Sequence, residues 1–570
     1  MKKILIYISI LLTSATFNGC YDLNTYPGDK VSENLFYQTE EHAKQGLMGI
    51  YGMLRDNHAY GYQFLFDHLA DIAYGYDYYM MYLGTYSDRS AEIQSKWQTM
   101  YDGIQRANSY LRVIPTMDVL TEEQKNEYMA EARFLRGMFY FTLLDLYGGV
   151  PYYDETTNLN VEYVGLKKPR SSAEEIRAHI ISDLNEAVAY LPVRHNDSDY
   201  GRATKGAAYA LRGKVYLYNK EWQNAIADFE EIVNNKSNNY GYGLDADYAH
   251  IFKLYNGDKS SEMIFSVQNK SGVGTEYGMA MQALMGTRSA FGPSTQLADM
   301  YELKDGRPFS WNDVFPGYND ATPDQRKELF SVEMDASGAV IGLRDVDTAQ
   351  ILNVYKSRDP RMMATLIVPY SIYKGCIGKT TPRDMLFAMD HNVQGNENQG
   401  TIRNNKGWIS YLYRKFVVEY DLGGAISDRL HTPFEFPLIR YADVLLMLAE
   451  AYNENNQLDK AVAEFNKVRA RVDMPGLNSG PAWMLVTSKE QMAERIRKER
   501  AVEFAGEGLR FSDLRRWGWE IASKAMSEVD AINIYGEFIY THKFSERDML
   551  WPIPGVEIER NEALKQNPGW

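Results

Sequence analysis

The sequence predicts a mainly α-helical protein in which tetratricopeptide-like helix pairs surround an irregular, loop-rich region with a few short strands. Three observations carry this prediction. Amphipathic helical periodicity occurs in two separate regions, one spacing of small and aromatic residues occurs in both, and the periodicity is lost between them. At 570 residues the chain exceeds what one simple hydrophobic core organises, so we expect several domains or stacked repeats that share a core.

The first helical region runs from about residue 35 to residue 235. Apolar residues recur with helical spacing in five stretches: 90–114, 122–147, 173–191, 204–218 and 222–233. Pro115, Pro151 and Pro192 follow three of these stretches, as expected where helices stop. The second helical region begins at residue 436 and runs to about residue 519.

One internal repeat links the two helical regions. Its four positions are occupied by Gly213, Tyr216, Ala225 and Phe229 in the first region and by Ala449, Tyr452, Ala461 and Phe465 in the second. This is the spacing of a tetratricopeptide unit. The small residue lets two antiparallel helices approach closely, and the aromatic rings fill the groove between them.

Between the helical regions, from about residue 236 to residue 435, Gly, Asn, Pro and Asp accumulate. Only short stretches, such as 263–268 and 408–418, look like strands. Long loops on a rigid frame are where binding usually resides, so this region is predicted to bind the ligand. The predicted organisation is a signal peptide at 1–19, helical repeats at 20–235, the irregular region at 236–435, and helical repeats with an extended tail at 436–570.

The first twenty residues have the layout of a bacterial export signal that ends in a lipidated cysteine. Lys2 and Lys3 are followed by an apolar run over 4–12, which is too short to span a bilayer, and then by small and polar residues before Cys20. We expect cleavage after residue 19 and acylation of Cys20. Secretion with a free thiol, or an N-terminal helix of a cytoplasmic protein, are the alternatives. Cys376 is the only other cysteine, so a lipidated Cys20 leaves no intramolecular disulfide.

Charge and composition limit the partners. The formal net charge of -15 disfavours nucleic acid and broad electrostatic adhesion to anionic lipid. Any membrane contact should therefore come from a lipid anchor or a protein partner. The chain also has 43 tyrosines and 9 tryptophans, which suits the stacking of flat, amphipathic ligands, although helix packing accounts for most of these rings.

The first candidate ligand site is a tyrosine-rich stretch at 71–89. A sugar presents C–H patches on its faces and hydroxyls around its edge, so it needs an exposed ring beside polar side chains. Gly75 and Gly84 indicate a loop. The candidate residues are Tyr76, Asp77, Tyr78, Tyr79, Tyr82, Tyr86 and Arg89. The alternative is that these tyrosines pack the loop onto the body of the protein.

A second candidate stretch, at 272–318, would complete the cleft. Its candidate residues are Tyr277, Arg288, Trp311 and Tyr318. Burying one ring face of ~80–100 Å² contributes roughly 2 kcal/mol before ordering costs. Two or three such rings with a few hydrogen bonds predict micromolar to millimolar affinity, on the order of 4–8 kcal/mol.

No catalytic motif is apparent. The sequence has no His-Glu-x-x-His zinc spacing, no Gly-x-Ser-x-Gly elbow and no phosphate-binding loop. Pairs of carboxylates that could hydrolyse a glycoside arise by chance among 76 acidic residues, and none stands in a recognisable local motif. We therefore predict neither catalysis nor a cofactor nor a metal site.

Six groups of motifs, in the order expected, resemble the SusD/RagB family of outer-membrane nutrient-binding lipoproteins. They lie at 130–136 with 147–151, at 301–302 with 305–307, at 358–361, at 437–451, at 499–518, and at 550–554 with 566–570. Charged residues of the fifth motif have helical spacings that allow ion pairs, so we predict a structural role for them. They are Glu499, Arg500, Glu503, Glu507, Arg510, Asp513 and Arg515.

The resemblance implies four tetratricopeptide-like helix pairs that cradle an irregular domain. It also implies a surface-exposed lipoprotein of the outer membrane that captures oligosaccharide and delivers it to a SusC-like TonB-dependent transporter barrel, without catalysis. Binding residues are not fixed in position within the family, so none is transferred. A peptide- or protein-binding lipoprotein of the same uptake type is the alternative, and a surface glycosidase is a more distant one.

Overall fold

The computed structural model describes residues 36–75, 81–157, 166–253, 259–269, 291–337, 339–344, 347–377, 381–389, 401–403, 410–419 and 432–570. The helices of these ranges are α1 Glu40–Tyr51, α2 Ala91–Val113, α3 Glu122–Tyr147, α4 Ala173–Tyr190, α5 Lys205–Tyr218, α6 Trp222–Val233, α7 Thr295–Met300, α8 Pro323–Glu328, α9 Thr348–Lys356, α10 Arg361–Thr365, α11 Tyr441–Glu454, α12 Leu458–Ala470, α13 Lys489–Glu503, α14 Arg510–Arg516, α15 Trp519–Met526 and α16 Gly555–Arg560. The strands are β1 Ala73–Gly75, β2 Met263–Val267, β3 Phe291–Pro293, β4 Val332–Met334, β5 Val340–Leu343, β6 Leu366–Ile367, β7 Ile372–Ile377, β8 Thr381–Ala388, β9 Thr401–Arg403, β10 Leu412–Tyr413, β11 Phe436–Arg440, β12 Val529–Ile532 and β13 Phe538–His542.

Long helices form the frame, which confirms the predicted mainly helical fold. Neighbouring helices pack in succession: α2 against α3, α3 against α4, α5 against α6, and α11 against α12. The predicted bounds of α3 and α6 agree with the structure to the residue, and those of α2, α4 and α5 agree to within one residue at each end. Local chemistry explains this agreement for α3, because Thr121 and Gln124 form a capping box at its start and Gly148, at φ +74°, ends it.

The repeat residues pack as their spacing predicts. A Cβ added at Gly213 would stand 2.6 Å from the ring of Phe229, so only glycine lets α5 approach α6 this closely. In the second unit, Ala449 and Phe465 are buried on α11 and α12. Close helix packing at a small residue therefore accounts for the repeated spacing.

The strands form small, separate sheets. Antiparallel pairs join β1 with β3, β2 with β11, β4 with β5, β6 with β10, and β12 with β13, while β7, β8 and β9 form a three-stranded sheet in that order. The predicted strand at 263–268 is confirmed as β2. Of the stretch at 408–418, only β10 is strand among the described residues. The β12–β13 hairpin was not predicted from the sequence.

Buried ion pairs join α13 to the rest of the frame. Glu503 accepts hydrogen bonds from Arg361 at 2.9 Å, Arg440 at 3.1 Å and Arg471 at 2.6 Å. One turn earlier, Glu499 pairs with Arg361 and Arg469. We call the connected set the ionic core: Glu262, Glu302, Asp359, Arg361, Lys415, Arg440, Arg469, Arg471, Glu499, Glu503 and Glu507.

Every side chain of the ionic core is at most 5% exposed. Burial alone would raise the pKa of Glu503, but the guanidinium groups of Arg471, Arg440 and Arg361 hold that pKa below its usual range. The carboxylate therefore stays charged and contacts three cations, whose remaining charge is balanced by the other acids of the ionic core. The other charged residues of the motif are also paired: Arg500 with Asp513, Arg510 with Asp71 and Arg515 with Asp145. These ion pairs confirm the structural role predicted for the motif.

The hydrophobic residues form two cores. The larger core fills the helical frame, and the smaller core lies under the middle region and includes Leu297, Tyr301, Trp311, Tyr355 and Tyr411. Within the described residues, no helix is both long enough and apolar enough to cross a bilayer.

Candidate functional site

The two candidate stretches meet at one short ribbon. Strands β1 and β3 pair antiparallel, with Gly75 opposite Phe291. The chain that continues after Gly75 and the chain that precedes Phe291 therefore join the same end of the ribbon. Tyr76, Asp77, Tyr78 and Tyr79 belong to the first of these segments and Tyr277 and Arg288 to the second; all six lie outside the described residues.

Tyr74 fixes the ribbon to its surroundings. Its hydroxyl lies 2.5 Å from Gln296 Oε1 and 2.8 Å from Thr295 Oγ1, both on α7, and 2.9 Å from the carbonyl oxygen of Ile532 on β12. Burial raises the pKa of Tyr74 to about 12, so the hydroxyl keeps its proton and acts as a neutral donor. One side chain thus joins β1, α7 and the β12–β13 hairpin.

Tyr82 closes the other end of the segment that starts at residue 76. Its hydroxyl donates to the carbonyl oxygen of Gly75 at 3.2 Å, and its own carbonyl accepts from Lys543 N at 2.8 Å. Its ring lies 4.5 Å from that of Tyr540, which in turn meets the ring of Tyr74 edge-on at 6.2 Å. The two ends of this segment are therefore held together on a layer of three tyrosine rings.

A small cleft of about 150 Å³ opens beside these rings. Tyr74 and Tyr540 line it, together with polar side chains that include Asp71, Gln296 and His542. Asp71 binds Arg510 through two hydrogen bonds of 2.9 Å, and burial lowers the pKa of His542 to about 4, so that imidazole is neutral at pH 7. Asp71 is the only carboxylate among the cleft's described lining residues, so these residues lack the carboxylate pair that glycoside hydrolysis needs.

The β12–β13 hairpin adds an exposed ring. Phe538 is 63% exposed and lies opposite Ile532, which is 37% exposed. We call the group formed by Phe538 and the three layered tyrosines, Tyr74, Tyr82 and Tyr540, the aromatic face. Phe538 and Tyr540 lie on the same strand, Tyr74 and Tyr82 are buried, and Phe538 is the exposed ring of the group. Phe538 was not among the residues predicted from the sequence, although the β-rich runs on either side of Asn533 and Gly536 are a hairpin signal.

The described candidate residues from the first stretch do not all face solvent. Tyr82 and Tyr86 are 3% and 6% exposed, and Tyr86 donates a hydrogen bond to Asp548 Oδ1 at 2.7 Å. Arg89 is exposed and forms an ion pair with Glu559. Burial argues against direct ligand contact by the two tyrosines, because neither presents a ring face to solvent in this structure.

Trp311 and Tyr318 from the second stretch also lie inside. Trp311 stacks on Tyr318 at 5.0 Å, and both belong to the smaller hydrophobic core. Tyr318 donates a hydrogen bond of 2.5 Å to the carbonyl oxygen of Ile534, within the β12–β13 hairpin. These two rings pack under the hairpin, so their burial argues against the prediction that they complete a ligand cleft.

The described residues hold no group of three or more His, Cys, Asp and Glu side chains placed to bind a metal. The hydroxyl, amide and ring groups that line the cleft suit a ligand with many hydroxyl groups. The cleft is smaller than the roughly 300–1,000 Å³ of typical ligand pockets, so a larger ligand bound there would extend beyond it.

Comparisons with known proteins agree with this architecture. The family model described as the SusD family matches residues 250–570, and one described as starch-binding, associating with the outer membrane, matches residues 24–217. SusD-like protein P25 of Formosa agariphila is 24% identical over 100% of this chain and 98% of its own length. The starch-binding protein SusD of Bacteroides thetaiotaomicron is 25% identical over 79% of this chain and 74% of its own length.

Among solved structures, a SusD-like protein from Bacteroides fragilis superimposes with a TM-score of 0.74 at 25% identity. The match covers 96% of this chain and all of that one. Because the SusD family model alone covers more than half of the residues, the chain belongs to the SusD family.

Proposed function

We propose that this protein binds a glycan at the aromatic face and does not cleave it. The observation that carries the proposal is the exposed ring of Phe538 on β13. Tyr540, on the same strand, packs on Tyr74 and Tyr82, which hold the shared end of the two candidate segments. An exposed ring on a rigid hairpin offers the flat apolar surface that the C–H face of a sugar needs. The starch-binding relative and the starch-binding family description support this ligand class.

The segments on either side of the ribbon complete the proposed site. Tyr76, Tyr78 and Tyr79 would add rings, and Asp77, Tyr277 and Arg288 would bridge sugar hydroxyls. The buried tyrosines Tyr82 and Tyr86 are proposed to hold this region in place. Weak binding, in the micromolar to millimolar range of about 4–8 kcal/mol, suits a protein that must release its cargo.

The proposal also includes a location and a partner. Acylation of Cys20 would tether the protein to the outer membrane at the cell surface, and a SusC-like TonB-dependent transporter barrel would receive the glycan. The family description that associates residues 24–217 with the outer membrane supports this placement. Replacement of Cys20 by Ser is expected to move the protein from the membrane fraction to the soluble fraction. Co-purification with a transporter barrel tests the partner.

Calorimetric titration with a panel of neutral oligosaccharides tests the site. Phe538→Ala should weaken binding by roughly tenfold or more, because a lost ring face removes up to about 2 kcal/mol. Leu485→Ala is the matched control, since Leu485 is also exposed, at 58%, but lies in the loop before α13. Equal affinities for both variants would contradict the site, and new reducing ends after incubation would contradict the non-catalytic function.

A further inference from the structure

A second cleft, of about 310 Å³, lies between the start of α5 and strand β2. It shares no lining residue with the cleft of the aromatic face. Its volume falls within the range of typical ligand pockets. Its described lining residues include Arg194, Arg202 and Lys259 but no aspartate or glutamate, although acids outnumber Lys and Arg by 76 to 61 in the chain. We call this the cationic cleft.

The three cations of the cationic cleft differ in their partners. Arg202 forms ion pairs with Glu131 and Asp199, so its charge is balanced within the fold. Arg194 and Lys259 are exposed, and neither forms a hydrogen bond or an ion pair in the part of the chain that the structure describes. Two positive charges in one cleft are therefore left for a ligand.

The backbone at Gly241 leaves room for the side chain of Arg194. Gly241, at φ +70°, lies against the guanidinium group, and a Cβ added there would stand 1.7 Å from Arg194 Nη2. A side chain at this position would push the guanidinium away. Glycine at this turn therefore allows both the backbone conformation and the approach of the Arg194 guanidinium group.

Aromatic and hydroxyl groups complete the cationic cleft. Tyr242 bonds through its hydroxyl to Thr204 Oγ1 at 2.7 Å and stacks parallel to Tyr240, while Tyr200 is 41% exposed. Two carboxylates, Glu435 and Asp245, contact lining residues of the cleft without lining it themselves, and both already accept hydrogen bonds within the protein. Glu435 accepts from Ser266 at 3.0 Å and Gln268 at 2.8 Å, and Asp245 accepts from Ser260 at 2.7 Å and lies 2.7 Å from His250 Nδ1.

We propose that the cationic cleft binds an acidic group of a saccharide, either the carboxylate of a uronate or a sulfate ester. Arg194 matches such a group with paired donors, and Lys259 adds a second charge. Tyr200 and Tyr242 present apolar ring surface to the sugar. The inference rests on the proposed function in one respect, namely that the ligand is a saccharide.

The test is calorimetric titration of the full mature chain with tetragalacturonate, a sulfated carrageenan tetrasaccharide and maltotetraose. The double variant Arg194→Gln/Lys259→Gln should weaken binding of an acidic probe by about tenfold or more and leave maltotetraose unchanged. Binding of the acidic probe should also weaken at high salt, because exposed charges are screened. If only tetragalacturonate binds more weakly to the double variant, the cleft recognises a uronate; if only the sulfated tetrasaccharide does, it recognises a sulfate ester.

Lys304→Gln/Lys356→Gln is the matched control, because it removes two exposed charges elsewhere. Equal losses in the two double variants would overturn the inference and indicate long-range attraction only. Binding of neither acidic probe to the wild type would also overturn it. If Phe538→Ala abolished acidic binding and the cationic-cleft variant did not, the result would contradict the second site and support binding at the aromatic face. Acidic binding that depends on Arg194 and Lys259, in a protein that binds none of the neutral oligosaccharides of the panel, would support this cleft and contradict the proposed site at the aromatic face.

Discussion

The ionic core and the aromatic face differ in what holds their side chains. In the ionic core each buried charge touches an opposite charge, since an unpaired charge in the interior costs several kcal/mol. In the aromatic face, neutral hydroxyls bond to carbonyl and amide oxygens, and one ring, Phe538, faces solvent. The difference shows that the strongest sequence motif, at 499–518, serves the frame, while the face that we propose for ligand binding carries no motif.

Asp67 contacts the turn that follows α13. It is fully buried, accepts a hydrogen bond from Gly506 N at 2.7 Å, and has no ion pair with a described Lys or Arg. It also precedes by four residues Asp71, which lines the cleft of the aromatic face. This carboxyl therefore departs from the pairing rule of the ionic core.

The largest expected effect is the loss of a charge from the ionic core. Glu503→Ala leaves Arg361, Arg440 and Arg471 without their shared carboxylate, so we expect a loss of about 3–5 kcal/mol in the free energy of unfolding. Denaturant titration measures it. Glu494→Gln, at an exposed position of the same helix, is the control and should be near neutral. A loss below about 1 kcal/mol for Glu503→Ala would contradict the role given to the ionic core.

The second effect is a pH dependence at Asp67. Burial raises its pKa from 3.8 to about 7, so folding favours the protonated carboxyl. This group's contribution to stability is present below about pH 4 and is lost as the pH rises through 7. Asp67→Asn removes that loss. The stability of the variant relative to wild type should therefore rise by about 2–3 kcal/mol between pH 5 and pH 8, measured by denaturant titration. Parallel pH curves for the two proteins would refute the assignment.

The third effect concerns binding alone. Joint replacement of Tyr76, Tyr78 and Tyr79 by Ala should weaken glycan retention by at least about tenfold, because three ring surfaces are lost. The unfolding midpoint should stay within about 2 °C of wild type, since these residues are not expected to support the frame. Affinity electrophoresis measures retention, with Tyr190→Ala, an exposed tyrosine at the end of α4, as control. Unchanged mobility on a retained glycan would remove these rings from the site.

The smallest effect is expected at the anchor of the ribbon. Tyr74→Phe keeps the ring but removes the hydroxyl that joins α7 and β12, so we expect a loss of about 1 kcal/mol in stability. Tyr190→Phe should leave stability unchanged. A variant at Tyr74 as stable as wild type would show that the ring alone holds the ribbon.

The helices could be predicted closely because their signals are local. A capping box starts α3, and a glycine at positive φ ends it, both within a few residues of sequence. The sequence predicted a structural role for the charged residues of the motif at 499–518, but it did not identify the residues with which they pair. Glu503 meets Arg361, which is 142 residues away in the chain, and local spacing carries no such information.

The candidate site was harder to predict, because a tyrosine hydroxyl can form its hydrogen bond inside the protein as well as at its surface. Tyr86 donates a hydrogen bond to Asp548, and Tyr82 donates one to the carbonyl oxygen of Gly75. Neither partner is apparent from composition. Trp311 and Tyr318 are buried beneath a hairpin that was not predicted. Phe538 was missed for the same reason, since its exposure depends on that hairpin.

Hydrogen–deuterium exchange with a glycan that the protein retains tests the central claim most directly. A ligand on the aromatic face should slow exchange in β12–β13 and in the ends of the β1–β3 ribbon. It should leave α13 and the ionic core unchanged, because those elements only support the face. Protection confined to other elements, with none in β12–β13, would contradict the account.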